Sequence, residues 1–385
     1  MGRCFSNFLV FCILLLIIAY SCSVRKETLP EERNNNIYNH DESNEKENLS
    51  AIAKSKALQL DLLLESVVKR RGFNGNILVA FKGKLIYHRS FGLADFKLKK
   101  KLSKESVFQI ASLTKQFTAM AIMMLAEDGK LEYDDLVETH LPEIPYRGIT
   151  IRHLLNHTGG LPNYMWLIEN HWQHTKYPYN DDVISLLERH KPGRYFKPGT
   201  RFNYSNTGYV LLASIVEKVS GENFSGFIKN KIFIPLKMDH SFVYSRGKSD
   251  SIDQKVNGYY LRRGRYRVNL ETMHDGVVGD KGIYSTTWDL FKWDKALYSE
   301  QLVSRGTLAK AFTRLRLKNG YHWHYGFGFR IREFEGKKVV YHFGKWNSFQ
   351  TCISRYIKDK HTIIILSNTN PKLNLLEQNI RDILY

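Results

Sequence analysis

The chain has 385 residues, 43% of them hydrophobic and 13% aromatic, so it can bury a large core as one domain or two. Lys and Arg number 57 against 38 Asp and Glu, a formal net charge of +19 that first suggests nucleic acid. The basic residues nevertheless fall in short scattered groups such as Lys99-Lys100-Lys101 and Arg262-Arg263, without recognition-helix or zinc-finger spacing. Nucleic acid is therefore not the expected partner, which leaves a solvated basic surface or attraction to anionic wall polymer or lipid headgroups.

The amino end reads as an export signal over residues 1–21: Arg3, an apolar run from Phe8 to Ile18, then small Ala19 and Ser21 before Cys22. The run is shorter than the roughly 20 residues that cross a bilayer. Ala19-Tyr20-Ser21-Cys22 resembles a bacterial lipobox, with large Tyr20 as a departure, and the resemblance implies lipidation of the Cys22 thiol. The expectation is export to a bacterial cell envelope with membrane attachment through that lipid, or a soluble secreted or periplasmic form if cleavage is plain. Cys4 and Cys12 leave with the signal, so the mature chain keeps Cys22 and Cys352, and no disulfide is expected. Residues 22–48 are rich in Glu, Asn, Lys and Arg and read as a disordered tether, with the folded domain spanning 49–385.

A helix is predicted over Ala51 to Lys69, with Leu58, Leu60, Leu62, Leu63 and Val67 on its apolar side. A hairpin follows, Asn76 to Phe81 and Leu85 to Phe91 about a turn at Lys82-Gly83-Lys84. Ala111 to Asp128 is apolar nearly all round and predicts a buried helix that stops at Gly129. Further helices are predicted at Val183 to Arg189 and Tyr209 to Ser220. Strands follow at Tyr325 to Arg332, Lys338 to His342, Phe349 to Tyr356 and Thr362 to Leu366, then a helix from Lys372 to Ile383. Strands early and late with helices between predict an antiparallel sheet completed by distant segments, one interwoven unit of α/β (α+β) class.

Ser-x-x-Lys occurs three times, at Ser43 to Lys46, Ser112 to Lys115 and Ser245 to Lys248, so spacing alone decides nothing. Only Ser112 opens an apolar helix. Positions i and i+3 share a helix face, so Lys115 can approach the Ser112 hydroxyl. Free N–H groups at the helix start can receive developing negative charge. Phe108, Ile110, Leu113 and Phe117 predict an apolar surround in which a lysine loses basicity and serves as a base.

Tyr204-Ser205-Asn206 precedes another apolar helix. A phenol beside an ammonium group would be drawn toward phenolate and could shuttle a proton, and an amide such as Asn206 can orient a substrate carbonyl. His342-Phe343-Gly344 ends a strand, where Gly344 permits close backbone approach and the Lys345 N–H could complete an oxyanion hole with that of Ser112. An isolated strand histidine is more often simply bonded to a neighbour.

Ser-x-x-Lys, Tyr-x-Asn and His-x-Gly in this order resemble the serine beta-lactamase-related hydrolases, which span class C beta-lactamases, D-alanyl-D-alanine carboxypeptidases, esterases and peptidases and include penicillin-binding-protein-like members. Phe108-Gln109-Ile110-Ala111, Leu154 to Pro162 (LLNHTGGLP), Lys197-Pro198-Gly199 and Gly282-Ile283-Tyr284-Ser285-Thr286 extend the resemblance from about Leu58 to the C-terminus. It implies a beta-lactamase/transpeptidase-like fold, an antiparallel sheet flanked by helices with an all-helical region. It also implies an acyl-enzyme on Ser112, proton transfer by Lys115 and Tyr204, and substrate contacts from Asn206, His342, Gly344 and Lys345. Thr158-Gly159-Gly160 shapes the scaffold in this reading.

No metal or cofactor is expected, because His171-x-x-His174 and His322-x-His324 lack acidic or Cys partners at ligand spacing. The expected partner is a small-molecule or peptide substrate, peptidoglycan fragments included. Where lactamases carry Lys-Thr-Gly this chain has His342 and Phe343, so a cation and a hydroxyl are missing and an ester or amide, D-amino-acid peptides among them, is favoured over a beta-lactam. Tyr164, Trp166, Trp172 and Trp346 are candidates to line an apolar or sugar-stacking pocket. The rival is a non-catalytic wall- or partner-binding module on the same fold, which retention of Ser112, Lys115 and Tyr204 disfavours.

Overall fold

The computed structural model describes residues 35–247 and 255–385. The export signal, Cys22, the first part of the tether and Lys248 lie outside the described residues. Among the described residues no helix is long and apolar enough to cross a membrane. The chain divides into Met1–Ile52 and Ala53–Tyr385, and the second unit carries the sheet, the helical region and the site described below.

The first helix, α1, runs Asn35–Arg71, so helix begins inside the stretch read as tether and includes the predicted Ala51–Lys69. Its buried stripe is narrower than predicted. Leu60 and Leu64, one turn apart, are fully buried, whereas Leu58 and Leu62 are exposed. The hairpin follows as β1 (Gly75–Phe81) and β2 (Lys84–Phe91), turning on Lys82 and Gly83, both at positive φ. Near the C-terminus come β3 (Arg330–Phe334), β4 (Lys337–Trp346), β5 (Phe349–Tyr356) and β6 (His361–Ser367). Together they form one antiparallel six-stranded sheet in the order β3-β4-β5-β6-β1-β2, the interwoven closure expected from the sequence.

Strands β1 and β6 sit inside the sheet and are buried along their whole length, which suits their runs of Ile, Leu and Val. Helix α4 (Thr287–Ala296) and helix α5 (Leu373–Leu384) cover the sheet's two faces. Alternation along β5 shows this directly: buried Arg355 pairs with Asp294 of α4 at 2.5 Å, while the adjacent Tyr356 donates to Glu377 of α5 at 2.7 Å. Beyond α4's face lies the helical region. It is built on α2 (Thr114–Glu127) and α3 (Asn206–Ser220), which pack against each other.

Two departures from the sequence reading matter for the site. The segment Tyr325 to Phe329 is not strand, because Gly328 (φ 76°) brings its backbone against α2, where an added Cβ would stand 2.6 Å from the Lys115 carbonyl oxygen. Strand β4 runs on to Trp346, four residues past His342, and so carries the whole His-x-Gly element and Lys345.

Candidate active site

Ser112 lies on a single 3₁₀ turn, Ala111–Leu113, that feeds directly into α2. Ala111 has φ 49°, a left-handed conformation that costs a residue with a Cβ and holds the turn in one shape. The turn is locked from the sheet side. Thr351 of β5 donates to the Ile110 carbonyl at 2.8 Å, and Gly344 of β4 lies so close that a Cβ there would stand 2.6 Å from the same oxygen and collide with Thr351. A glycine is therefore required where strand and nucleophile turn meet.

Lys115 is fully buried one turn along, its Nζ 3.3 Å from Ser112 Oγ and 2.7 Å from the Asp280 carbonyl oxygen that accepts from it. The Tyr204 and Tyr209 rings flank it at 5.0 and 5.5 Å. Burial pushes its ammonium down to about 8. The Asp280 carboxylate works against that shift and the Arg330 cation adds to it.

Tyr204 stands in the loop that leads into α3, whose cap is Ser205, accepting from the Gly208 N–H at 3.2 Å. The loop is held by His157, whose Nδ1 accepts the Ser205 N–H at 3.0 Å and whose ring packs 4.3 Å from that of Tyr204. The Tyr204 hydroxyl is buried without a well-aligned hydrogen-bond partner. Its acidity departs from the sequence expectation: burial raises the phenol, and the neighbouring Ser112 hydroxyl and Arg330 offset only part of that. The cation that was to draw it toward phenolate has itself lost basicity, so of the two groups it is Lys115 that comes nearer to neutral pH. Asn206 opens α3, and its Oδ1 is also buried without a partner.

His342 is fully buried, its Nε2 3.2 Å from Tyr325 Oη and its Nδ1 2.8 Å from the Phe343 carbonyl oxygen. Burial first, then Arg330 and Lys115, hold it well below the ordinary histidine range, so it is neutral. Phe343 stands on the opposite face of β4 with Tyr341, over α5, in a concavity that includes Asn374 and Gln378. Lys345 pairs with Gln350 across a two-residue turn, Asn347-Ser348, whose φ values are 42° and 67°. In that register Trp346 and Phe349 exchange hydrogen bonds, so the Lys345 N–H points away from β5. Strand β3 reaches only to Tyr341 on that side, which leaves the N–H at a free edge.

Several neighbours carried no sequence signal. Arg330 Cζ lies 5.4 Å from the Tyr204 ring centroid and makes no ion pair or side-chain hydrogen bond to any described residue. Asp280 and Lys281 form a buried pair (3.5 Å) with Tyr164, which donates to Asp280 at 3.1 Å and accepts from Lys281 at 2.8 Å. Lys281 also caps the Trp346 ring at 4.8 Å, so Tyr164 and Trp346 do share one cluster. Trp166 and Trp172 pack instead on His171 and His174.

The profile of the Beta-lactamase family matches residues 60–384. The chain belongs to the beta-lactamase family. It is 41% identical over 330 residues to penicillin-binding protein 4* of Bacillus subtilis (strain 168), covering 82% of this chain and 72% of that protein. Its fold is similar to the crystal structure of a penicillin-binding protein from Bacillus halodurans (TM-score 0.74, 26% identity, 83% of this chain and 98% of the other). It is also similar to the octameric penicillin-binding protein homologue from Pyrococcus abyssi (TM-score 0.70, 29% identity, 81% and 73%). The protein is thus a serine hydrolase of this family, related to penicillin-binding protein 4*, with the beta-lactamase/transpeptidase fold.

Proposed function

We propose that the protein hydrolyses an ester or amide, D-amino-acid peptides included, through an acyl-enzyme on Ser112. The reading is carried by one observation: a fully buried Lys115, its ammonium pushed down to about 8, within 3.3 Å of the Ser112 hydroxyl. Neutral Lys115 takes the Ser112 proton as Oγ attacks the substrate carbonyl. The N–H groups of Ser112 and Lys345 receive the oxyanion, and Tyr204, protonated at rest, relays a proton to the leaving group. Asn206 supplies a carboxamide to the acyl side. Water then attacks the ester carbonyl on Ser112, with the same groups returning the proton.

Buried neutral His342 offers no cation where lactamases carry lysine, which argues against efficient beta-lactam turnover. The unpaired Arg330 guanidinium beside Tyr204 favours a substrate with a carboxylate next to the scissile bond. At the cell level the reading is of an exported envelope protein held by a lipid on Cys22. Purified protein assayed on p-nitrophenyl esters, D-Ala-D-Ala peptides and nitrocefin tests the reaction. Ester or peptide turnover that disappears in Ser112→Ala, with nitrocefin slowest, is the expected result. Binding of wall fragments with no turnover of any of the three would replace it with a non-catalytic module.

A further inference from the structure

Strands Gly258–Arg262 and Arg265–Asn269 form a separate two-stranded hairpin. We propose that it is a docking site for the phosphate groups of a linear polyanion, distinct from and independent of the reaction at Ser112. Its turn, Arg263-Gly264, has φ values of 50° and 73°, the hand that suits a tight two-residue hairpin. The register sets Arg262 opposite Arg265 and Tyr260 opposite Arg267, so Tyr260 and three arginines share one face. Like charges directly opposed across strands are destabilising. No described residue relieves them: Arg262, Arg263, Arg265 and Arg267 are all exposed, and none makes an ion pair or side-chain hydrogen bond to a described residue. With Tyr260 they line a concavity of about 420 Å³.

The hairpin is firmly seated, so this face is held in place. Phe96 packs against Tyr259 and Tyr266 on the other face at 4.7 and 4.1 Å. Asn269 donates to Ser348 Oγ at 2.9 Å, and Gly258 abuts the Asn347 carbonyl too closely to admit a Cβ. Those contacts root it on the Asn347-Ser348 turn that ends β4, close in sequence to Lys345. Phe96 is followed in the chain by exposed Lys97, Lys99, Lys100 and Lys101, a second basic run after the residue that packs on the hairpin's other face.

The chemistry selects phosphate. A carboxylate has two oxygens and is filled by a single guanidinium fork, whereas a phosphate group can accept from two opposed arginines at once. The tip, Arg262-Arg263-Gly264-Arg265, has no apolar residue to enter a bilayer, and Leu261 and Val268 lie on the other face. A polymer in solution therefore fits better than a membrane surface.

The test is fluorescence anisotropy of the full-length protein with end-labelled long-chain inorganic polyphosphate. Poly-glutamate and vesicles of phosphatidylglycerol or phosphatidylcholine are the comparison arms. Arg262→Gln/Arg265→Gln/Arg267→Gln is compared with Lys218→Gln/Lys229→Gln/Lys231→Gln, which removes the same charge from exposed helical positions. The expected result is polyphosphate binding weakened at least about tenfold by the first variant and less than about twofold by the second, with a salt slope near −2 for roughly three contacts. The hairpin variant should melt at or slightly above the wild-type temperature, since a repulsion is removed. Arg265→Gln alone, weakening binding about threefold, carries the same test should the triple variant fail to fold. Equal weakening by both triple variants, no weakening by Arg265→Gln, equally tight poly-glutamate binding, or hairpin-dependent binding to phosphatidylglycerol vesicles without polyphosphate binding would each overturn the proposal.

Discussion

The most informative perturbation of the proposed mechanism is pH itself, read on kcat/KM. An ordinary lysine titrates near 10.4, so at pH 7 only about 0.04% is neutral. With burial holding Lys115 near 8, about a tenth is neutral at pH 7. The site thus raises the base-competent fraction roughly 200-fold, at a cost of about 3 kcal/mol in placing the group there. The working form is the neutral amine, so kcat/KM for a p-nitrophenyl ester should climb about tenfold per pH unit below 8 and level off above it. Removing a neighbouring cation relieves part of the depression, so Arg330→Gln should move the inflection to higher pH. A profile flat from pH 6 to 9, an inflection near 10, or a downward shift in Arg330→Gln would refute the assignment of Lys115 as base.

Three other outcomes follow from the same geometry. Gly344→Ala pushes a Cβ into the Ile110 carbonyl and Thr351, displacing the Ser112 turn; kcat/KM should fall about 100-fold and thermal denaturation should show a loss of about 1–3 kcal/mol. Wild-type kinetics in that variant would show that β4 does not position the nucleophile. Tyr204→Phe removes a hydroxyl that is buried without a well-aligned partner, so kcat should drop about 10² to 10⁴-fold with the melting temperature unchanged; an intact kcat would remove Tyr204 from the proton relay. Burial keeps His157 and His342 neutral in the fold while the unfolded chain protonates them near pH 6.5, so stability present above that pH should be lost as pH falls below it. Melting temperatures in His157→Gln and His342→Gln that keep the full wild-type acid dependence would contradict this.

How much of this was legible beforehand depended on whether a feature is local. The hairpin of β1 and β2, the buried helix behind Ser112 and the late strands are written in periodicity and turn residues that the backbone obeys nearby. So is the order of the Ser112, Tyr204 and His342 elements. That early and late strands close one antiparallel sheet was expected from their placement in the chain; the strand order within it was not read from the sequence. Residues that act through space left no trace in spacing: Arg330 reaches the site from an edge strand, and Asp280 meets Lys115 through a backbone carbonyl that any residue could supply. The direction of the Tyr204 shift was missed for a related reason. A neighbouring ammonium can be inferred from sequence, whereas the desolvation that outweighs it depends on His157, Tyr325 and His342 closing around the phenol. Phe343 counted as a missing hydroxyl, yet strand alternation turns it toward α5 and leaves His342 and Gly344 facing the Ser112 turn.

The central claim is that Ser112 is the nucleophile. Reaction of the purified protein with a fluorophosphonate probe, followed by intact-mass and peptide mapping, tests it most directly. One adduct per chain, located on Ser112 and absent from a folded Ser112→Ala variant, is the predicted result. An adduct that persists in that variant, or maps to another residue, would contradict it.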